Sequence, residues 1–107
     1  ERVPFRTMPP RCTYCGGLAR PGVVWFGELL SEDDLDAALA LTACDVFITA
    51  GTSAVVYPAA GLVQHAHRQG AFTVELNVEW TDATPGVELA IHAPAEDTLA
   101  EVERLLA

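Results

Sequence analysis

The sequence predicts an α/β fold built on half of a doubly wound parallel sheet. A near-continuous apolar run at 45–50 is typical of a parallel strand that is covered on both faces, and the run at 71–78 is expected to form the next strand. Helical patterns follow these runs at 59–69 and 96–106. The order strand, helix, strand, strand, helix is that of half a Rossmann-like domain. Before it, residues 1–22 are rich in Pro, Gly, Arg and Cys, which indicates irregular structure held by a metal.

The first elements follow from local signals. Residues 23–26 read as a short buried strand or an extended loop. Ser31 stands where a helix N-cap is expected, because the acids that follow it favour the positive end of the helix dipole. Leu35, Leu39 and Thr42 fall on one face, so we expect this helix to pack against a sheet.

The later elements have recognisable ends. The helix at 59–69 is stopped by Gly70, since glycine readily adopts the left-handed conformation after a helix. Further strands are expected at 71–78 and 87–91. The last helix, at 96–106, has an apolar side that we expect to be buried, formed by Leu99, Val102 and Leu106.

Composition narrows the class of protein. The 107 residues allow one domain with a modest core. A net charge of -9 argues against a nucleic-acid partner, because binding to phosphate backbones needs clustered cations. No apolar run approaches the ~20 residues of a membrane span, so no membrane partner is expected. The N-terminus has neither a signal-peptide pattern nor Met, so we expect the chain to begin inside a longer reading frame.

Cys12 and Cys15 have the spacing of a zinc knuckle, in which a turn directs two sulfurs toward one ion. One pair supplies half of a tetrahedral site, and taken alone it could also be redox-active or inert. The odd count of three cysteines argues against a disulfide scaffold and favours a cytoplasmic location. His65 and His67 point to different sides of a helix and are poor substitutes as ligands, and His92 has no ligand partner in sequence.

A candidate ligand-binding loop follows the first apolar strand. Gly51, Thr52 and Ser53 stand at its C-terminal end, where open α/β sheets bind ligands. Glycine lets the backbone approach a phosphate closely, and the hydroxyls can donate to ribose or phosphate oxygens. Asn77 and Glu79 end the next strand, where a carboxylate can accept hydrogen bonds from ribose hydroxyls. The tripeptide alone is a weak signal for a nucleotide site.

Three segments, in this order and spacing, resemble the C-terminal half of a sirtuin, an NAD-dependent protein-lysine deacylase. They are CTYCGG at 12–17, RPGVVWFGE at 20–28 and GTSAVVYPAAG at 51–61, and they are most similar to the bacterial and mitochondrial-type branch. The resemblance implies the second half of a zinc-binding module at 1–22. It implies the C-terminal half of a Rossmann-like NAD-binding domain at 23–107, with the catalytic N-terminal half absent.

The resemblance also implies roles for individual residues. The cofactors would be NAD and zinc, with Cys12 and Cys15 as zinc ligands and a second cysteine pair upstream. An acylated-lysine protein or peptide would be the partner, held by β-strand addition. The residues implied for NAD are Gly51, Thr52, Ser53, Asn77, Val78, Glu79 and Ala95. Those implied for the peptide are Val24, Trp25, Phe26, Gly27, Glu28, Val56 and Tyr57.

No catalytic residue is assigned in this chain. Sirtuins carry their histidine base in a His-Gly motif of the first half, and no His-Gly pair occurs here. The leading interpretation is a portion of a deacetylase, or of a desuccinylase or demalonylase, that yields nicotinamide and O-acyl-ADP-ribose and is inactive alone. The alternatives are a non-catalytic ADP-ribose-binding half-domain and a zinc-linked interaction module. A half sheet exposes apolar edges, so we expect the chain to associate through it.

Overall fold

The computed structural model describes residues 8–107 and divides the chain into two compact units, Glu1–Leu30 and Ser31–Ala107. The first seven residues of the expected zinc-binding module lie outside the described part. The second unit contains the helices α1 (Glu32–Ala40), α2 (Leu62–Arg68) and α3 (Ala95–Leu106) and the strands β1 (Val46–Ala50), β2 (Phe72–Asn77) and β3 (Leu89–His92). Within residues 8–107, no helix has the length and apolar character needed to cross a membrane.

The described part of the first unit is a small hairpin followed by irregular chain. Arg11 and Leu18 form an antiparallel bridge, and the Ala19 N–H donates to the carbonyl of Pro10 at 2.9 Å. Residues 23–26 form no strand and are exposed, from 50% at Val24 to 93% at Phe26. A buried strand here is therefore wrong, and the extended-loop alternative fits.

Helix α1 begins where the sequence predicts. Ser31 is its N-cap, with extended backbone, and its hydroxyl oxygen accepts from the Asp34 N–H at 3.1 Å. This bond satisfies one of the N–H groups that a helix start leaves unpaired. The helix makes its main contacts with α2 and not with the sheet, which corrects the packing expected from its apolar face. Leu39 on that face remains 37% exposed.

The three strands form one parallel sheet in the order β1, β2, β3. At the C-terminal ends, Ala50 of β1 pairs with Leu76 of β2, and Asn77 of β2 pairs with His92 of β3. The predicted α/β class with a parallel sheet is therefore confirmed. Because the strands run in the same direction, their C-terminal ends lie at one edge of the sheet.

Apolar cover over the sheet is uneven. Central strand β2 is well buried, with Val74 at 8% and Leu76 at 2% exposure. Strand β1 alternates instead, with Val46 and Ile48 about half exposed, so the expected cover on both of its faces is wrong. It is an edge strand of the described sheet and has one neighbouring strand there. The small core on the other face consists of Ala54, Val63, Ala83, Phe47 and Val87.

Helix α3 has the expected position but not the expected burial. It contacts β2, and its apolar residues Leu99 and Val102 remain 44% and 41% exposed. Leu106 is 83% exposed, so its predicted burial is wrong. None of the residues of α3 is fully buried.

Candidate functional site

The predicted nucleotide-binding residues converge at the edge formed by the C-terminal ends of the strands. Residues 51–53 follow β1, residues 77–79 end and follow β2, and Ala95 opens α3 just after β3. We call these three segments the ligand edge. All of it lies in the second unit, and the strand pairing sets its segments side by side. Their individual roles stay predictions.

Gly51 makes the turn out of β1. Its φ of +64° lies in the left-handed region, which costs little only for glycine. The Gly51 N–H donates to the carbonyl of Leu76 at 2.9 Å, which continues the strand pairing into the loop. The Thr52 hydroxyl oxygen then accepts from the Ala54 N–H at 3.2 Å, while Ser53 is exposed. The loop is thus fixed by backbone geometry and leaves hydroxyl groups at the surface.

Asn77 joins two of the three segments. Its side-chain amide Nδ2 donates to the carbonyl of Thr52 at 2.7 Å, and its Oδ1 accepts from the Glu79 N–H at 3.4 Å. The Glu79 carboxylate and the Val78 side chain are both exposed. This arrangement can present a carboxylate and backbone groups to the hydroxyls of a sugar.

A buried carboxylate that the sequence analysis did not single out lies beneath this edge. Glu75 of β2 is 1% exposed, and its two carboxylate oxygens accept from the hydroxyls of Thr81 and Thr84. We call these three residues the Glu75 clamp. Its signal in the sequence is weak, because Glu75 is one of the polar residues that alternate with apolar ones along β2, and only the structure shows that this carboxylate is buried and must be paired.

A second carboxylate lies at the opposite end of the strands, just before β3 begins. The Glu88 carboxylate accepts from the Thr73 N–H at 2.8 Å and from the Thr73 hydroxyl, and it lies 2.8 Å from Nδ1 of His67. These hydrogen bonds, chiefly those from Thr73, lower the pKa of Glu88 to about 2. Through this contact, His67 connects α2 to Glu88, the residue that precedes β3.

The predicted peptide-binding residues fall in both units. Glu28 organises the first group, because its carboxylate accepts from the Trp25 N–H at 3.1 Å and pairs with Arg20 at 3.0 Å. The Arg20 guanidinium also lies over the Trp25 ring, 5.1 Å from its centroid. Gly27 has a φ of +88°, which suits this turn. The exposed Val24, Trp25 and Phe26 side chains are therefore held on an ordered turn.

The second group of predicted peptide-binding residues follows the Gly51 loop. Val56 is 49% exposed and Tyr57 is 70% exposed. The Val56 carbonyl accepts from the Ala60 N–H at 2.9 Å, and the Gly61 N–H donates to the Pro58 carbonyl at 2.9 Å in a short 3-10 turn, Ala59–Gly61, ahead of α2. This turn fixes the backbone that carries both side chains.

The cysteine pair lies on the hairpin of the first unit. The Gly16 N–H donates to the Cys12 carbonyl at 2.9 Å, and the Cys12 N–H donates to the Gly17 carbonyl at 2.8 Å. Hydrogen bonds from the Cys15 and Tyr14 N–H groups and the Cys15 thiol lower the pKa of Cys12. Backbone donors around a thiolate suit a zinc ligand. No cluster of three or more potential metal ligands occurs in residues 8–107.

The remaining histidines have structural partners. His92 stacks on Trp80, with ring centroids 4.5 Å apart, and His65 lies 3.4 Å from the side-chain nitrogen of Gln69. Neither lies in a cluster of three potential metal ligands among the described residues.

Comparison with known proteins agrees with this geometry. A profile of the Sir2 family matches residues 1–58. The NAD-dependent protein deacylase 1 of Archaeoglobus fulgidus is 44% identical over 105 residues, which are 97% of this chain and 43% of that protein. This chain therefore spans less than half the length of that relative.

Solved structures of Sir2 proteins are also similar to this chain over less than half of their own length. A mutant Sir2 homologue in complex with ADP ribose superposes with a TM-score of 0.87 at 42% identity, covering 95% of this chain and 41% of that one. A Sir2 structure with p53 peptide and NAD+ superposes with a TM-score of 0.81 at 32% identity, covering 92% of this chain and 42% of that one.

Proposed function

The chain belongs to the Sir2 family, and on this basis we propose that it forms part of an NAD-dependent protein-lysine deacylase. The observation that carries the proposal is the ligand edge, where Gly51, Thr52 and Asn77 are held together by hydrogen bonds at adjacent strand ends. The similarity to a homologue that binds ADP ribose supports the same edge as the nucleotide site.

The ligand edge suits the ADP-ribose portion of NAD. The Gly51 turn brings backbone close to a phosphate, and the Thr52 and Ser53 hydroxyls offer hydrogen bonds to its oxygens. Glu79 and the backbone of Val78 would bind ribose hydroxyls, and Ala95 would border the base. NAD would supply the electrophilic ribose carbon that the acyl oxygen of the substrate attacks. The chain's part in the reaction is to bind and orient the nucleotide.

An acylated-lysine peptide is the proposed partner of residues 24–28 with Val56 and Tyr57. Residues 23–26 are exposed and form no strand, so their backbone groups suit β-strand addition, apart from those of Trp25, which bond to Glu28 within the turn. The similarity to a Sir2 structure that contains a p53 peptide supports this partner. Cys12 and Cys15 would provide two zinc ligands, with two more from outside the chain.

In our proposal, the base that catalysis needs does not come from this chain. His67 is paired with Glu88 at the opposite edge, and His92, at the end of β3, is stacked on Trp80. None of the three histidines belongs to a His-Gly motif of the kind that carries the base in sirtuins. We therefore expect the 107-residue chain to bind ADP-ribose without releasing nicotinamide. This ADP-ribose-binding half-domain is also the second candidate function, since every residue of the ligand edge lies within one unit.

The test combines binding and turnover. Titration calorimetry would measure the affinity of the 107-residue chain for ADP-ribose. A second assay would use the longest protein that contains this chain and would measure whether it releases nicotinamide from NAD in the presence of acetyl-lysine or succinyl-lysine peptides. Glu79→Gln should weaken ADP-ribose binding, while Glu103→Gln makes the same change on the exposed end of α3 and should not. Equal affinities, or no turnover by a longer protein, would contradict the proposal.

A further inference from the structure

The connection between β2 and β3 is unusual for a parallel pair. Residues 78–88 must return from the ligand edge to the start of β3, and their only regular structure is the 3-10 turn Thr84–Gly86. Parallel strands are usually joined by an α-helix, which satisfies its own backbone groups. This crossover relies on side chains instead: the Thr81 N–H donates to the Thr84 hydroxyl at 2.8 Å, and the Ala83 N–H donates to the Thr81 hydroxyl at 3.1 Å.

The Glu75 clamp completes this arrangement. Each threonine hydroxyl accepts from a backbone N–H of the crossover and donates its own hydrogen to one carboxylate oxygen of Glu75. A carboxylate suits this place because both of its oxygens can accept a hydrogen bond. No buried side-chain oxygen or nitrogen in residues 8–107 lacks a partner, so the burial of Glu75 is fully compensated.

The position of the clamp connects it to the nucleotide site. The hydrogen bond from Thr81 to Glu75 closes a loop of chain that contains Asn77, Val78 and Glu79. Within this loop Asn77 is bonded to Thr52 and to the Glu79 N–H. The residues proposed to bind the ribose are therefore held on one side by the Gly51 loop and on the other by Glu75.

We propose that Glu75 is a positioning residue that fixes residues 77–81 in the conformation able to bind ribose. It acts from beneath the ligand edge and does not contact the ligand. The inference rests on the proposed function, because the ligand edge must bind a nucleotide for the position of these residues to matter.

Glu88 provides a matched control for Glu75. Both carboxylates accept from threonine hydroxyls and both attach the same crossover to β2, but Glu88 lies at the edge opposite the ligand edge. A loss of general stability should follow from Glu75→Gln and from Glu88→Gln. A loss of nucleotide affinity should follow from Glu75→Gln alone.

Two variants of Thr84 distinguish the effect of its hydroxyl group from the effect of its side-chain size. Thr84→Val keeps the shape and removes both the donor to Glu75 and the acceptor of the Thr81 N–H, while Thr84→Ser keeps both. We expect Glu75→Gln and Thr84→Val to weaken ADP-ribose binding about tenfold, the effect of leaving one buried polar group unsatisfied. Glu88→Gln and Thr84→Ser should stay within about twofold of the unmodified chain, because each leaves the Glu75 clamp intact.

Backbone amide hydrogen exchange, followed by NMR, provides a readout that does not depend on the ligand. Faster exchange at residues 79–83 is expected in Glu75→Gln and Thr84→Val, but not in Glu88→Gln. Unchanged exchange in this segment, or equal ADP-ribose affinities for Glu75→Gln and Glu88→Gln, would overturn the inference. If the unmodified chain does not bind ADP-ribose, the proposed function fails, and a changed exchange pattern would still show that Glu75 orders this segment.

Discussion

The side-chain amide of Asn77 donates a hydrogen bond of 2.7 Å to the backbone carbonyl of Thr52, which joins the ends of two adjacent parallel strands. The two residues are twenty-five positions apart in the sequence. Their contact couples the loop proposed to hold the phosphates to the segment proposed to hold the ribose.

Asn77→Asp should weaken ADP-ribose binding about tenfold, because the new carboxylate cannot donate to the Thr52 carbonyl and leaves two acceptors facing each other. Titration calorimetry would measure the change. Gln64→Glu is the control, since it makes the same replacement of amide by acid on the exposed side of α2. An Asn77→Asp chain with the affinity of this control would show that the bond does not support the site.

Gly51→Ala should destabilise the fold by about 1–2 kcal/mol, the cost of placing a residue with a Cβ in the left-handed region. An added Cβ would meet no atom within 4 Å, so the cost comes from the φ of +64° and not from a clash. Denaturation by urea would measure the free energy of unfolding.

Gly86→Ala is the control for this change. Its Cβ would also meet nothing within 4 Å, and its φ lies outside the left-handed region. A loss of stability at Gly86→Ala equal to that at Gly51→Ala would contradict the conformational explanation.

The stability of the chain should fall in acid because of Glu88. Its pKa in the folded chain is lowered from 4.5 to about 2, chiefly by the hydrogen bonds from Thr73, so the charged form favours folding. This contribution is complete above pH 4.5 and is lost as the pH falls from 4.5 through about 2. Glu88→Gln should therefore show a weaker dependence of unfolding free energy on pH over that interval.

The cause of this shift can be tested at Thr73. Thr73→Val removes the hydroxyl donor and should raise the pKa of Glu88, while Thr73→Ser keeps the donor and should not. An NMR titration of the Glu88 carboxyl carbon would measure both values. Equal values in the two variants would assign the shift to another group.

In any longer protein that contains this chain, zinc binding should depend on the hairpin cysteines, Cys12 and Cys15. Cys15→Ser should lose the metal, because a tetrahedral structural site needs all four ligands. Cys44→Ser should keep it, since this thiol donates to the Thr42 carbonyl at 3.7 Å in the other unit. Zinc per chain, measured by mass spectrometry before and after a chelator, would decide; retention of zinc by Cys15→Ser would contradict the assignment.

Features that depend on neighbouring residues could be predicted from the sequence. The cap at Ser31, the turn at Gly51 and the stop at Gly70 are set by the φ and ψ preferences and short side-chain bonds of a few adjacent residues. The meeting of Gly51 with Asn77 at one edge also followed, because parallel strands share the edge where they end.

Which surfaces and polar groups are buried depends on the three-dimensional packing. Glu75 is buried because Thr81 and Thr84 fold back across β2, and Ile48 stays about half exposed because no other part of residues 8–107 fully covers its face of β1. Hydrophobic periodicity says which face of a strand is apolar, not what packs against it. The bond between Asn77 and Thr52 likewise depends on strand register, because residues distant in sequence come within hydrogen-bonding distance only when the whole sheet has formed.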